Sequence, residues 1–274
     1  MKAESLAQPY VLGHSEHEVE RLLLQSACIE KITRRLFNEA GLREGMRVLD
    51  VGCGLGDVSM LASQFVGPHG SVVGVDRDAT AVMTSQARSN DAGLRIAFHQ
   101  ADEATLEDPE PFDFVIGRYV LLHQADPAEF IRRVAARVRP GGVVALHEVV
   151  CRYAPPSVPA VPLWDETAEQ IASAFRSALN HSEAGSSLFR YFTEAGLYPP
   201  SLFCEVPIGS GPDPLFYEWA AMTLKSVRPD SKSLSGSDAK MSGVHYLASQ
   251  LRADVVAARS QVQFAQQHCG WARV

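Results

Sequence analysis

The sequence predicts an α/β domain built on a doubly wound, mostly parallel sheet. Three observations carry that expectation. Short apolar runs of strand length alternate with segments of helical period between residues 42 and 150. The first run ends in a glycine-rich turn, and the second ends in an aspartate, Asp76. In an open α/β sheet, ligands bind at the carboxyl ends of such strands.

The turn organises everything else. In Arg47-Val-Leu-Asp-Val-Gly-Cys-Gly-Leu-Gly-Asp57, the residues Val48, Leu49 and Val51 read as a buried strand. Gly52, Gly54 and Gly56 alternate after it, and without Cβ atoms the backbone can come close to a ligand. Val58 to Phe65 then has the spacing of a helix start. A dinucleotide fingerprint would need Gly or Ala at position 57, where Asp57 stands.

Composition sets the outer bounds. A chain of 274 residues is one large domain, or one domain with an elaborated lid. With 46% hydrophobic and 21% charged residues it reads as globular. Its net charge of −7 argues against nucleic-acid binding. No apolar run has the length of a membrane span, and the start lacks a signal-peptide core, so the expected location is cytoplasmic, with no membrane partner. The five cysteines form no C-x-x-C pair, which suggests neither a disulfide framework nor a zinc site. A homodimer stays open.

Taken in order, residues 1–13 form a short arm containing Tyr10. Ser15 and Glu18 have the spacing of a capping box. Val19, Leu22, Ile29, Ile32, Leu36 and Phe37 keep helical period as far as Gly41, a C-terminal stop. Ser71 to Asp76 is the second strand. Asp76 lies 20 residues after Gly56, where a carboxylate can accept two hydrogen bonds from a ribose diol. Asp78 is placed to cap the following helix. Leu94 to Gln100 is the third strand, followed by Ala101-Asp102-Glu103. Phe112 to Gly117 is the fourth, with Arg118-Tyr119 at its tip; Arg118 there suits a carboxylate, a phosphate or a plain salt bridge. Asp126-Pro127-x-Glu129 opens a helix with a cap and a first-turn proline. Arg139-Pro140-Gly141-Gly142 reads as a turn before the fifth strand, Val143 to Val150. Right-handed crossovers join these units.

The pattern weakens after residue 150. A loop with four prolines covers 154–163. Helices are expected at Trp164 to Asn180, Ser186 to Glu194, Pro214 to Val227 and Val244 to Arg259, and strands at Leu202 to Ile208 and Val262 to Val274. A polar connection beginning at Asp230 separates the last two helices. The chain then divides into an arm and helix (1–41), a core (42–210 and 259–274) and a helical lid insertion (211–258). Phe216, Tyr217 and Trp219 are candidates for an apolar substrate wall.

The residues Val48-Leu-Asp-Val-Gly-Cys-Gly-Leu-Gly56, Val75-Asp76, Ala101-Asp102, Phe112-Asp113 and Arg139-Pro-Gly-Gly142 together resemble class I S-adenosylmethionine-dependent methyltransferases, of the type found in ubiquinone and menaquinone pathways and among natural-product enzymes. The resemblance covers residues 42–150. It implies a Rossmann-like methyltransferase fold of seven strands, with one antiparallel strand near the edge and no catalytic metal. It also implies S-adenosylmethionine as cofactor, with S-adenosylhomocysteine as its product. Asp50 and the three glycines would then meet the cofactor, Asp76 its ribose and Asp102 its adenine amino group. Arg77, Ala101, Glu103, Gly117 and Arg118 complete the expected wall, with Gln25 reaching in from the first helix. The N-terminal segment around Tyr10 would fold over the cofactor.

A sulfonium carries its own leaving group, so transfer needs mainly proximity and alignment. A base helps where the nucleophile is a hydroxyl or an acidic carbon. His147 and Glu148 are consecutive on the fifth strand and therefore face opposite ways. Glu148, nearer the carboxyl edge, is the expected base, and His123 is the second choice. The function expected is methyl transfer to an O, N or C atom of a small molecule, such as a secondary metabolite. A methyltransferase-fold protein that holds the nucleoside without methylating is the alternative, and Asp57 disfavours a nicotinamide oxidoreductase.

Overall fold

The computed structural model describes residues 16–234 and 243–274. Helix α1 (Glu16–Ala40) leads into β1 (Arg47–Val51), α2 (Asp57–Val66), β2 (Ser71–Asp76), α3 (Ala79–Asp91) and β3 (Ala97–Gln100). The chain then crosses back through β4 (Phe112–Arg118), α4 (Pro127–Ala135) and β5 (Val138–Val150). Its second half holds β6 (Ser157–Val158), α5 (Pro162–Ala178), α6 (Leu188–Glu194), β7 (Ser201–Glu205) and β8 (Ile208–Ser210). It ends with α7 (Phe216–Val227), α8 (Gly243–Ala257), β9 (Gln261–Gln263) and β10 (Gln266–Arg273).

Seven strands form the main sheet in the order β3-β2-β1-β4-β5-β10-β7. Strand β1 is parallel to both neighbours, and β10 runs antiparallel to β5 and β7. The expected sheet, with its one reversed strand next to an edge, is the one observed. Because the chain walks outward from β1 to β3 and returns to β4 on the other side, a crevice opens where β1 and β4 end. Local signals placed the helices well. Asp78 accepts from the Ala81 amide at 2.8 Å and caps α3. Asp126 accepts from Glu129 at 2.9 Å and caps α4, with Pro127 in its first turn. Gly41, at φ +83°, ends α1. Ser15 lies outside the described residues.

Apolar cores fill both faces of the sheet. A third core joins α5, α7 and α8 to Ile29 of α1 and to Phe264, so the helices after β5 form a cap with an interior of its own. Among the described residues no helix is long and apolar enough to cross a membrane.

Three expectations change. The strand expected at Leu202 to Ile208 breaks in two at Pro207, which has no N–H for a ladder. The last expected strand likewise divides between Gln263 and Gln266, and β6, β9 and β8 make a separate three-stranded sheet. The turn expected at Arg139 to Gly142 is a bulge inside β5. Val138 pairs with Phe112 and Val143 with Phe114, and Gly141 takes φ +79° in between.

Candidate active site

A cavity of about 700 Å³ opens at the carboxyl ends of β1, β2 and β4, within the usual size range of small-molecule sites. One end is polar, built from the glycine turn, Asp76 to Asp78 and Ala101 to Glu103. The other is apolar, walled by Val149, Cys151, Phe175, Leu179, Trp219 and Phe264. Gln25, Arg118, Tyr119, Leu122 and His123 lie on the wall as well, the last four from the tip of β4 and the turn that follows it.

The three glycines differ in what surrounds them. All take positive φ, +68° at Gly52, +52° at Gly54 and +81° at Gly56. A Cβ on Gly54 would meet no protein atom within 4 Å, whereas one on Gly52 would lie 2.7 Å from a Val120 methyl. At Gly56 it would strike Ser85 at 2.9 Å and Phe98 at 3.1 Å. Gly52 and Gly54 border the cavity; Gly56 is a packing position beneath it.

Asp76 ties the turn to β2. Its Oδ2 accepts from the Gly54 amide at 2.9 Å and its Oδ1 from Asp78 at 3.0 Å. Each carboxylate oxygen has a second lone pair, so both can still accept from ligand hydroxyls. Asp102 is held by the Thr105 hydroxyl and by the amides of Ala104 and Thr105 at 2.8–3.0 Å. Partial burial works to raise its pKa, but these bonds and nearby Arg77 outweigh it and leave the carboxyl below its ordinary value. Ala101 and Glu103 border the cavity too, with the Glu103 carboxylate receiving Arg133 at 2.8 Å.

Besides Gly56, three expected site residues fall elsewhere. Asp50 is buried under the turn, where its Oδ2 accepts from Ser59 of α2 at 2.5 Å, and burial pushes its carboxyl up to about 7. Gly117 is a packing glycine, since a Cβ there would lie 2.6 Å from Val120. Glu148, the expected base, is not on the cavity wall. It is wholly buried, and its Oε1 accepts from the Val120 and Leu121 amides, each at 2.9 Å. The chain after β4 folds back over β5 and closes this carboxylate in. Tyr10 lies outside the described residues.

His147 faces the other way, as strand alternation requires, into a buried polar chain. Gln267 donates its Nε2 to the Ala265 carbonyl at 2.8 Å, which leaves Oε1 to accept from the Tyr119 hydroxyl at 2.5 Å and from His147 Nε2 at 3.0 Å. His147 Nδ1 is then the acceptor for the Thr33 hydroxyl at 2.9 Å, and Thr33 accepts from Arg118 at 3.4 Å. Burial, helped by Arg118, pushes the His147 imidazole down to about 3, so the ring is neutral. This chain fixes Tyr119, a non-glycine residue at φ +60° on the cavity wall. Strain of that kind concentrates at functional sites. Arg118 also donates to Ser26 at 3.1 Å.

His123 opens onto the cavity, though the protein around it pushes its imidazole down to about 4. The ring is therefore neutral at pH 7. Gln25 accepts from Arg21 at 2.9 Å and from the Trp219 indole at 3.4 Å, joining α1 to α7. Arg21 was missed at the sequence level. Glu18, Arg21 and Gln25 stand three and four residues apart, one helix face, and Arg21 is buried against Glu18 with Nε–O distances of 2.9 and 3.0 Å.

A family described as "Methyltransferase domain" matches residues 42–196, the stretch that carries the glycine turn, Asp76, Asp102 and the β4 tip. The chain belongs to this family. Its class is that of the S-adenosylmethionine-dependent methyltransferases, and S-adenosylmethionine is the cofactor. The ubiquinone biosynthesis O-methyltransferase of Azorhizobium caulinodans is 33% identical over 102 residues, 37% of this chain and 39% of that protein. The enzyme of the same name from Nitrobacter winogradskyi is 33% identical over 132 residues, 47% and 49% of the two chains. The matched stretch thus spans less than half of these curated relatives. Among solved structures, the YcgJ protein of Bacillus subtilis superposes with TM-score 0.54 at 19% identity, covering 88% of this chain and 98% of that one. Phospholethanolamine N-methyltransferase 2 of Haemonchus contortus, in complex with S-adenosylhomocysteine, gives 0.56 at 16% identity over 92% and 56%. The [4+2]-cyclase SpnF gives 0.53 at 19% identity over 89% and 80%. At such identities the likeness is one of fold.

The residues fit this cofactor. Gly54 offers open space where any other residue would place a Cβ, and Asp76 keeps acceptor capacity for a ribose diol.

Proposed function

We propose that this methyltransferase moves the methyl group of S-adenosylmethionine to a small molecule, at an oxygen, nitrogen or carbon atom. The observation that carries the reading is one cavity with two unlike ends, a carboxylate-and-glycine end and an apolar end. An oxygen acceptor is favoured, because the curated relatives are named as O-methyltransferases. Bound at the polar end, the cofactor supplies an electrophilic methyl group on sulfur. Asp76 would hold the ribose and Asp102 the adenine amino group. Tyr119, set by its buried hydrogen bond, would shape the passage to the acceptor. His123, a neutral imidazole on the cavity wall, is the residue placed to take a proton from an acceptor hydroxyl. Residues 211–258 would act as the lid, with Trp219 as their contribution to the wall.

Calorimetry with S-adenosylhomocysteine and NAD, followed by product formation over a panel of hydroxylated acceptors, tests the proposal. Tight adenosyl binding and acceptor-dependent S-adenosylhomocysteine release are expected. Tighter NAD binding would overturn the cofactor assignment. Adenosyl binding with no turnover on any acceptor would favour a protein that holds the nucleoside for another purpose.

A further inference from the structure

The apolar end of the cavity adjoins a second hollow. A smaller void of about 30 Å³ lies between α5, α7 and the segment after β5, and it shares Cys151, Phe175, Trp219 and Ala265 with the main cavity. By the measure in which one water fills about 10–15 Å³, it has room for about two or three carbon atoms.

Its buried side-chain donors are already committed; Tyr153, the remaining donor on its wall, is exposed. Thr167 donates to the Leu163 carbonyl at 2.7 Å, and the Trp164 indole donates to Pro155 at 3.3 Å. The Cys151 thiol points to the Ser182 carbonyl at 3.5 Å, and the Trp219 indole is the one that reaches Gln25. Ala168, Ile171 and Ala172 supply hydrocarbon. A hollow lined mainly by hydrocarbon takes apolar guests. The adjoining wall is aromatic, with the Trp219 and Phe264 ring centroids 4.4 Å apart. Among the described residues no Asp, Glu, Lys or Arg lines this hollow.

We infer that the acceptor is an uncharged, ring-bearing molecule with a short apolar substituent of about two or three carbons, which plugs this hollow. This rests on the proposed methyl transfer, since it takes the apolar end to be the acceptor's. The ring lies along Trp219 and Phe264, and the substituent passes between Phe175 and Cys151. The hollow thereby sets a length limit on what can be methylated.

The test uses the full chain and a graded set of probes: phenol, then para-methyl, ethyl, propyl and pentyl phenol, with para-hydroxybenzoate as the charged control. Affinity is read by calorimetry with and without saturating S-adenosylhomocysteine, so a failure of adenosyl binding is seen separately from a failure of the apolar series. Affinity should rise about fourfold per carbon up to ethyl or propyl and then flatten. Ala168→Leu, which fills the hollow, should abolish that rise while leaving phenol and S-adenosylhomocysteine affinities unchanged. Should this variant fail to fold, the wild-type series decides alone. A flat series, a rise that continues undiminished to pentyl, or tighter binding of para-hydroxybenzoate than of phenol would each overturn the inference.

Discussion

Glu148→Gln removes one ionisable group from the interior and keeps an oxygen that can accept from Val120 and Leu121. The native side chain is wholly buried, and its Oε2 meets no donor among the described residues. Burial raises the carboxyl from 4.5 to about 8, against the pull of the Leu121, Val120 and Leu122 amides. The folded protein therefore keeps a proton that the unfolded chain releases above about 4.5. Its stabilising effect is complete below that pH and is lost as pH rises toward about 8. At ~1.4 kcal/mol per pH unit, the interval from pH 5 to pH 8 corresponds to about 3–4 kcal/mol. Asp50, raised to about 7, adds a slope of the same sign to both proteins, so it cancels in the difference. Urea unfolding of both proteins at pH 5, 6, 7 and 8 reads that difference directly. Glu148→Gln should gain on wild type by roughly 3 kcal/mol across the range. Parallel pH profiles would refute the argument. Its kcat at pH 7 should stay within about tenfold of wild type; a loss of roughly 10²–10⁴-fold would make Glu148 the base after all.

Other changes separate binding from scaffold. Asp76→Ala should weaken S-adenosylhomocysteine binding by roughly 10- to 150-fold, from about 1.5–3 kcal/mol for a hydrogen bond to a charged group; calorimetry on the folded variant checks it. Gly54→Ala puts a methyl into open space, so its stability cost is the backbone strain at φ +52° alone and cofactor affinity should fall as well, whereas Gly56→Ala adds a clash with Ser85 and Phe98 to the same strain and should lower Tm more. His123→Ala should reduce kcat toward hydroxyl acceptors by about 10²-fold or more with cofactor affinity unchanged; wild-type turnover in this variant would leave proximity and alignment as the whole mechanism.

The α/β frame was legible because its signals are local. Aspartate caps, an apolar strand and a stop glycine each act within a turn of themselves, and so α3, α4 and the first five strands stand close to their expected places. The glycine turn was legible as a turn. Which glycine faces a ligand was not, because the neighbours that crowd Gly56 come from α3 and β3, far along the chain. The second small sheet escaped notice for the opposite reason: its strands are two or three residues long, too short to show a period.

The misplaced base shows where such reasoning runs out. Alternation along β5 correctly sends His147 and Glu148 to opposite faces. Alternation says nothing about what lies over each face. The tip of β4 bends back so that two backbone amides cover Glu148, and Gln267, 120 residues away, covers His147. Both polar side chains thus serve the walls of the cavity from behind. Glu148 fixes the turn that carries Leu122 and His123, and His147 fixes Tyr119 through Gln267. A buried polar residue near a strand tip is as well suited to hold an active-site loop as to act in it, and only the long-range fold decides between them. His123 remains on the cavity wall because the turn held by Glu148 puts it there.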